Sequence, residues 1–142
     1  MNISAPHMHS KVLELLKDHL SKAKKCLDIG SGSGYLTLAL QKMMPENGVV
    51  YGVDHIPELV QNSINNISKN HKEVLEQGRI VFASIDGRQG WSDHAPYDVI
   101  HVGAAVESLP KEFLEQLNKG GRMVVPVGKQ GSQELTVIDK DS

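Results

Sequence analysis

Cys26-Leu27-Asp28-Ile29-Gly30-Ser31-Gly32-Ser33-Gly34 is the stretch on which the fold turns. Lys24 to Ile29 reads as a short buried strand that runs into three glycines at alternate positions. Tyr35 to Met44 follows, with Leu36, Leu40 and Met43 at helical spacing. A strand, a glycine loop and a helix make the first half of a βαβ unit, the usual cradle for a nucleotide-like cofactor.

The glycines also say which cofactor to expect. A dinucleotide fingerprint would need a glycine at position 35, where Tyr35 stands, and a P-loop would need a lysine that is absent. Pyrophosphate settles on a helix N-terminus because bare N–H groups and the helix dipole favour an anion. Asp28 at the strand end would oppose it and would attract a ligand carrying ammonium and sulfonium charges. S-adenosylmethionine carries both and has no phosphate. The alternative is a tight strand–helix turn with no ligand.

Working outward, Val12, Leu13, Leu16 and Leu20 predict an amphipathic helix over His9–Leu20, preceded by a loop through Pro6. Asn47-Gly48 is a turn signal before a second buried strand, Val49–Val53, which ends at Asp54. Pro57 starts a helix carried by Val60, Ile64 and Ile67 to about Asn70. Further strands are expected over Arg79–Ile85, Tyr97–Val102, Arg122–Val127 and Glu134–Ile138. A helix bearing Leu109, Phe113, Leu114 and Leu117 is expected to close at Gly120-Gly121. Alternating strands and helices predict an α/β fold, a Rossmann-like doubly wound and mostly parallel sheet. At 142 residues the chain reads as one domain, 1–142, with no repeat or linker.

In such sheets ligands bind outside the carboxyl ends of the strands. Asp28, Asp54 and Asp86 stand at three of those ends. Asp54 lies twenty residues beyond Gly34, the offset at which a carboxylate accepts hydrogen bonds from ribose hydroxyls. Asp86 is placed to accept from an adenine amine; its alternative, as for each aspartate, is a cap on the next helix. His7 and His9 lack the further ligands a zinc site needs, so no metal is expected. His101 is read equally as a core histidine or a pocket residue. Arg88 is read as solvated or anion-binding, and Trp91 as packing. Cys26, the one cysteine, reads as a small hydrophobe. A net charge of −2 without a basic stripe argues against nucleic acid. The absence of a signal peptide or a long apolar run points to the cytoplasm and away from a membrane.

Ile3-Ser4-Ala5-Pro6-His7-Met8-His9, the glycine loop, Gly52-Val53-Asp54-His55 and Asp86-Gly87-Arg88 together resemble protein-L-isoaspartate O-methyltransferase. Pro96-Tyr97-Asp98-Val99-Ile100-His101-Val102-Gly103-Ala104-Ala105 and Gly120-Gly121-Arg122-Met123-Val124-Val125-Pro126-Val127-Gly128 extend the resemblance over nearly the whole chain. It implies a class I S-adenosylmethionine-dependent methyltransferase fold, incomplete here, in a cytoplasmic monomer that initiates protein repair. The implied reaction moves a methyl group from S-adenosylmethionine to the α-carboxyl of L-isoaspartyl residues in damaged proteins and peptides, leaving S-adenosylhomocysteine. Ser4 matches the family's active-site serine. Pro6, His7, Met8, His9, Asp28, Ile29, Gly30, Gly32, Asp54, His55, Asp86 and Gly87 match positions at the cofactor. Family members carry several dozen residues before the Ile-Ser-Ala-Pro-His motif and continue past Ser142, and Asn2 replaces their usual threonine. The expectation that follows is weak cofactor binding and poor turnover by this chain, because Ser4 sits close to a terminus. The rival readings are a methyltransferase for a small molecule or RNA, a cofactor-binding domain without turnover and, third, a nicotinamide oxidoreductase.

Overall fold

The structure is a computed structural model and describes residues 6–30, 32 and 34–141, with the side chains of residues 6–8 left outside the description. Six strands form one sheet: β1 (Lys25–Ile29), β2 (Val49–Asp54), β3 (Ile80–Ser84), β4 (Tyr97–Val102), β5 (Leu117–Val127) and β6 (Glu134–Asp139). Their order is β3-β2-β1-β4-β5-β6; the first five are parallel and β6 pairs antiparallel with β5. The helices are α1 (Pro6–Leu20), α2 (Tyr35–Lys42), α3 (Pro57–Glu76) and α4 (Lys111–Gln116). The chain winds outward from β1 to β3, then crosses back to β4 on the other side of β1. This reversal opens a crevice at the carboxyl ends of β1 and β4.

Alternation along the strands builds two cores, one on each face. Cys26, Val50, Ile80, Val99 and Val124 meet Val12, Leu16, Leu20, Leu36, Leu40, Ile67 and Val74 from α1, α2 and α3. Leu27, Val53, Ile100, Met123 and Val125 meet Tyr97, Phe113 and Leu117 on the opposite face. Cys26 is fully buried, and burial pushes its thiol well above the usual range, so it packs as a small hydrophobe. Trp91 also packs, edge-on to Tyr51 at 5.7 Å between ring centroids.

Several boundaries differ from the sequence-based expectation: Leu109 lies before α4 and Leu117 opens β5 instead of ending the helix, and three further differences have a clear physical reason. Helix α1 starts at Pro6, three residues early, because proline is tolerated in a first helical turn. Helix α3 passes its expected end: His71 breaks the helical geometry (φ −138°, ψ 38°), and the helix resumes to Glu76 because Val74 is buried in the core. Gly120-Gly121 does not cap α4. That helix ends at Gln116, and both glycines lie within β5. A Cβ on Gly121 would stand 2.7 Å from the Asp98 carbonyl oxygen, so a glycine is required where β5 closes on β4.

At its C-terminal end α1 is held to the sheet by Arg122. Its Nη1 donates to the Leu15 carbonyl at 2.9 Å while Nε and Nη2 donate to Asp139. His19 lies beside this pair, and its Nδ1 is buried without a hydrogen-bond partner among the described residues. Desolvation first, then the Arg122 and Lys22 charges, lower its pKa against the opposing pull of Asp139 and Asp18. A histidine depressed in the folded state stabilises fully above its unfolded pKa, about 6.5, and loses that contribution as pH falls through the folded value. His19→Gln is expected to flatten the fall in melting temperature as pH drops below about 6.5; an unchanged profile would reject this role.

Candidate active site

Backbone register places most of the expected site residues along one edge. Ile29 pairs with Val53 and Asp54 with Ser84, so β1, β2 and β3 end side by side. The Gly30 N–H donates to the Val53 carbonyl and the Gly103 N–H to the Ile29 carbonyl, both at 2.8 Å, tying the loop to its two neighbouring strands. The Ile85 N–H donates to the Asp54 carbonyl at 3.0 Å, which fixes the approach to Asp86 and Gly87. Gly30, Gly32 and Gly34 all have positive φ (76°, 61° and 88°), the left-handed region that glycine adopts without strain.

Asp54 is buried, and its Oδ1 accepts from the Ile56 N–H at 3.2 Å with His55 Nδ1 3.7 Å away. Among the described residues no hydrogen bond reaches Asp54 Oδ2. His55 is largely exposed. Asp86 does cap the turn Gly87–Gln89, accepting from the Arg88 N–H at 3.0 Å. Its carboxylate is also gripped by the Arg88 side chain, with Nη2 to Oδ2 at 2.8 Å, and these bonds hold its pKa down at about 2. Arg88 is therefore paired rather than an open anion site. A Cβ on Gly87 would lie 2.6 Å from Ile29 Cγ2, so Gly87 and Ile29 are in direct contact.

Asp28 corrects the electrostatic reading. It is 1% exposed, its Oδ2 accepts from Thr37 Oγ1 at 2.6 Å, and its Oδ1 stands 2.8 Å from His101 Nδ1. Asp28 and His101 are register partners on β1 and β4, so their side chains share the face covered by α1 and α2. The three aspartates thus sit on one edge of the sheet, but only Asp54 and Asp86 keep carboxylates that are not enclosed by this network. His101 is the satisfied core histidine. His9, half-buried on α1, feels the same pair: its pKa is lowered by desolvation and by His101, and raised by Asp28. Ser4 lies outside the described residues. Pro6, His7 and Met8 form the start of α1.

Two residues escaped the sequence reading. Thr37 is fully buried on α2 against Asp28. Ser63 is fully buried on α3, with Oγ 2.7 Å from the Gly32 carbonyl and 2.9 Å from that of Leu59. The Ser63 Cβ lies 2.9 Å from where a Cβ on Gly34 would be, so α3 fits flush under the loop. A signal existed: Ser63 falls between Val60 and Ile67 on the apolar stripe, where a polar side chain needs a partner. Ser63→Ala is expected to cost about 1 kcal/mol and to speed amide exchange in the glycine loop. Unchanged exchange there would show that the loop holds itself.

Residues 1–142, the whole chain, match the sequence model of the family described as Protein-L-isoaspartate(D-aspartate) O-methyltransferase. The chain belongs to this family. It is 49% identical over 139 residues to a protein-L-isoaspartate O-methyltransferase of Caenorhabditis elegans, covering 97% of this chain and 62% of the relative. A Triticum aestivum relative of the same name is 52% identical over 141 residues, covering 99% of this chain and 61% of the relative. The chain thus spans about three fifths of the length of the curated relatives it matches. A Plasmodium falciparum protein assigned as a protein-L-isoaspartate O-methyltransferase, crystallised with S-adenosyl-L-homocysteine, superposes with a TM-score of 0.90 at 31% identity, over 100% of this chain and 69% of that one. Lower-identity likenesses, such as a Thermotoga maritima O-methyltransferase at 20% identity and TM-score 0.72, speak for the fold alone.

Proposed function

We propose that this chain is the S-adenosylmethionine-binding portion of a protein-L-isoaspartate O-methyltransferase, organised as one domain over residues 1–142. The observation that carries the reading is the Gly30–Gly34 loop at the β1/β4 crevice with Asp54 beside it, in a chain that matches this family throughout. The residues suit the cofactor. A Cβ on Gly32 would meet nothing within 4 Å among the described residues, so Gly32 presents bare backbone to open space. Asp54 keeps an oxygen for ribose hydroxyls, and Ile29 with Gly87 forms an apolar wall for a base.

When bound, S-adenosylmethionine supplies an electrophilic methyl group on a sulfonium. The protein's part is placement. The glycine loop leaves room for the cofactor's close approach, Asp54 would orient the ribose, and Asp86, held in place by Arg88, would face the adenine amine. His55 and the start of α1, Pro6, His7, Met8 and His9, would line the cofactor site. Ser4, by its match to the family's active-site serine, would orient the substrate carboxylate by a hydrogen bond. A carboxylate is ionised at neutral pH, with a pKa of about 4, so no general base is required. Alignment of this kind supplies roughly 7–11 kcal/mol of barrier lowering.

The substrates are then isoaspartyl proteins and peptides, and the chain acts as a cytoplasmic monomer without nucleic acid or membrane. A net charge of −2 without a basic stripe disfavours nucleic acid, and no helix among the described residues is long and apolar enough to cross a membrane. Radiolabelled methyl transfer from S-adenosylmethionine to an isoaspartyl peptide, with the normal aspartyl peptide as control, tests the reading. Equal labelling of the two peptides would reject the proposed substrate.

A further inference from the structure

The sequence contains two steps at which an aspartate or asparagine precedes glycine, Asn47-Gly48 and Asp86-Gly87. Such steps are the ones most prone to closing into a succinimide, because glycine leaves the following nitrogen uncrowded. For Asp86 the balance is simple. The Gly87 nitrogen bonds to Asp86 Cγ and gives up its proton, and the hydroxyl of the protonated carboxyl leaves Cγ with a proton as water. Hydration at the α-carbonyl then breaks the original peptide bond to nitrogen and leaves isoaspartate in the chain. Reaction of an ionised carboxylate is slow, since it has no neutral leaving group.

We infer that Arg88 guards Asp86 against conversion to isoaspartate, so that the cofactor edge is protected from isomerisation by a residue that need not touch the cofactor. The grip is fourfold: Nε stands 3.1 Å from each carboxylate oxygen, Nη2 2.8 Å from Oδ2, and the main-chain N–H 3.0 Å from Oδ1. Ring closure requires Cγ to turn toward the Gly87 nitrogen and the carboxyl to take up a proton, and these bonds oppose both. The contact of Gly87 with Ile29 adds a second restraint, because the Gly87 backbone has no room to shift toward β1. The charged groups that act on Asp86 are Arg88 in its own turn and His55 at the end of β2, and both favour the ionised form. The inference stands apart from the proposed function, since it concerns the chain's own aspartate.

Asn47 supplies an internal clock. It is exposed in the turn that carries the Gly48 N–H to the Pro45 carbonyl, at 2.8 Å, and its uncharged amide reacts without a protonation requirement. The test compares the intact chain with Arg88→Gln after prolonged incubation near pH 6 in heavy-oxygen water. Peptide mapping by mass spectrometry reads isoaspartate at positions 86 and 47 of each sample. Lowering the Asp86 pKa from 3.8 to about 2 reduces its protonated fraction by tens of fold, and solvent exposure moderates this. The ratio of isoaspartate at 86 to that at 47 is therefore expected to rise about tenfold in Arg88→Gln. General loosening of the fold speeds both sites and leaves the ratio unchanged. An unchanged ratio overturns the inference.

Discussion

Asp54→Ala is expected to weaken binding of S-adenosylhomocysteine by roughly ten- to a hundredfold, which corresponds to about 1.5–3 kcal/mol for hydrogen bonds to a charged acceptor. The argument rests on placement. Asp54 ends β2 next to the glycine loop, is held by the Ile56 N–H through Oδ1, and keeps Oδ2 clear of the bonds seen among the described residues. The same Oδ1 bond steadies the turn into α3, so alanine also loosens a helix start. Asp54→Asn separates the two effects: its amide oxygen can still serve Ile56, while the charge and one acceptor are gone. Isothermal calorimetry is the measurement, with NAD as the competitor. Affinity unchanged in both variants, or NAD binding more tightly than S-adenosylhomocysteine, would sink the cofactor reading.

His101→Leu is expected to destabilise the fold by about 3 kcal/mol, because it leaves the carboxylate of Asp28 buried with one partner instead of two. Asp28 is 1% exposed and His101 5% exposed, so water does not replace the lost bond. For a chain of this size the loss corresponds to a melting-temperature drop of roughly 10 °C. His101→Asn, which can donate from its amide, is expected to recover part of the loss. Thermal denaturation followed by circular dichroism reads both. A leucine variant as stable as the parent would mean that Thr37 alone satisfies Asp28, and that the histidine is dispensable to β1–β4 pairing.

These two aspartates show how far residue type alone reaches. Both stand at strand ends, and the spacing from the glycine loop to Asp54 was legible because the chain length of a βα unit is nearly constant. Whether a carboxylate faces the crevice or the core depends on what lies across the next strand. Asp28 pairs in register with His101, seventy-three residues away, and no local pattern announces that. Asp86 was readable either as a cap or as a ligand group. Its partner, two residues on, was in plain view, but the bidentate geometry of Arg88 belongs to the folded turn.

The sequence by itself determined the element order, the parallel sheet and the glycine-loop crevice, since periodicity and strand-end chemistry are local properties. It also carried the family, through motifs in unbroken order from Ile3 to Gly128. Tertiary structure alone decided three things. It placed Gly120-Gly121 inside β5, where the close approach of β4 excludes a Cβ at Gly121. It continued α3 beyond the break at His71, because burial of Val74 outweighs one non-helical residue. It brought Ser63 and Thr37 beneath the site, because a buried hydroxyl must find an acceptor and the nearest ones are the Gly32 carbonyl and the Asp28 carboxylate.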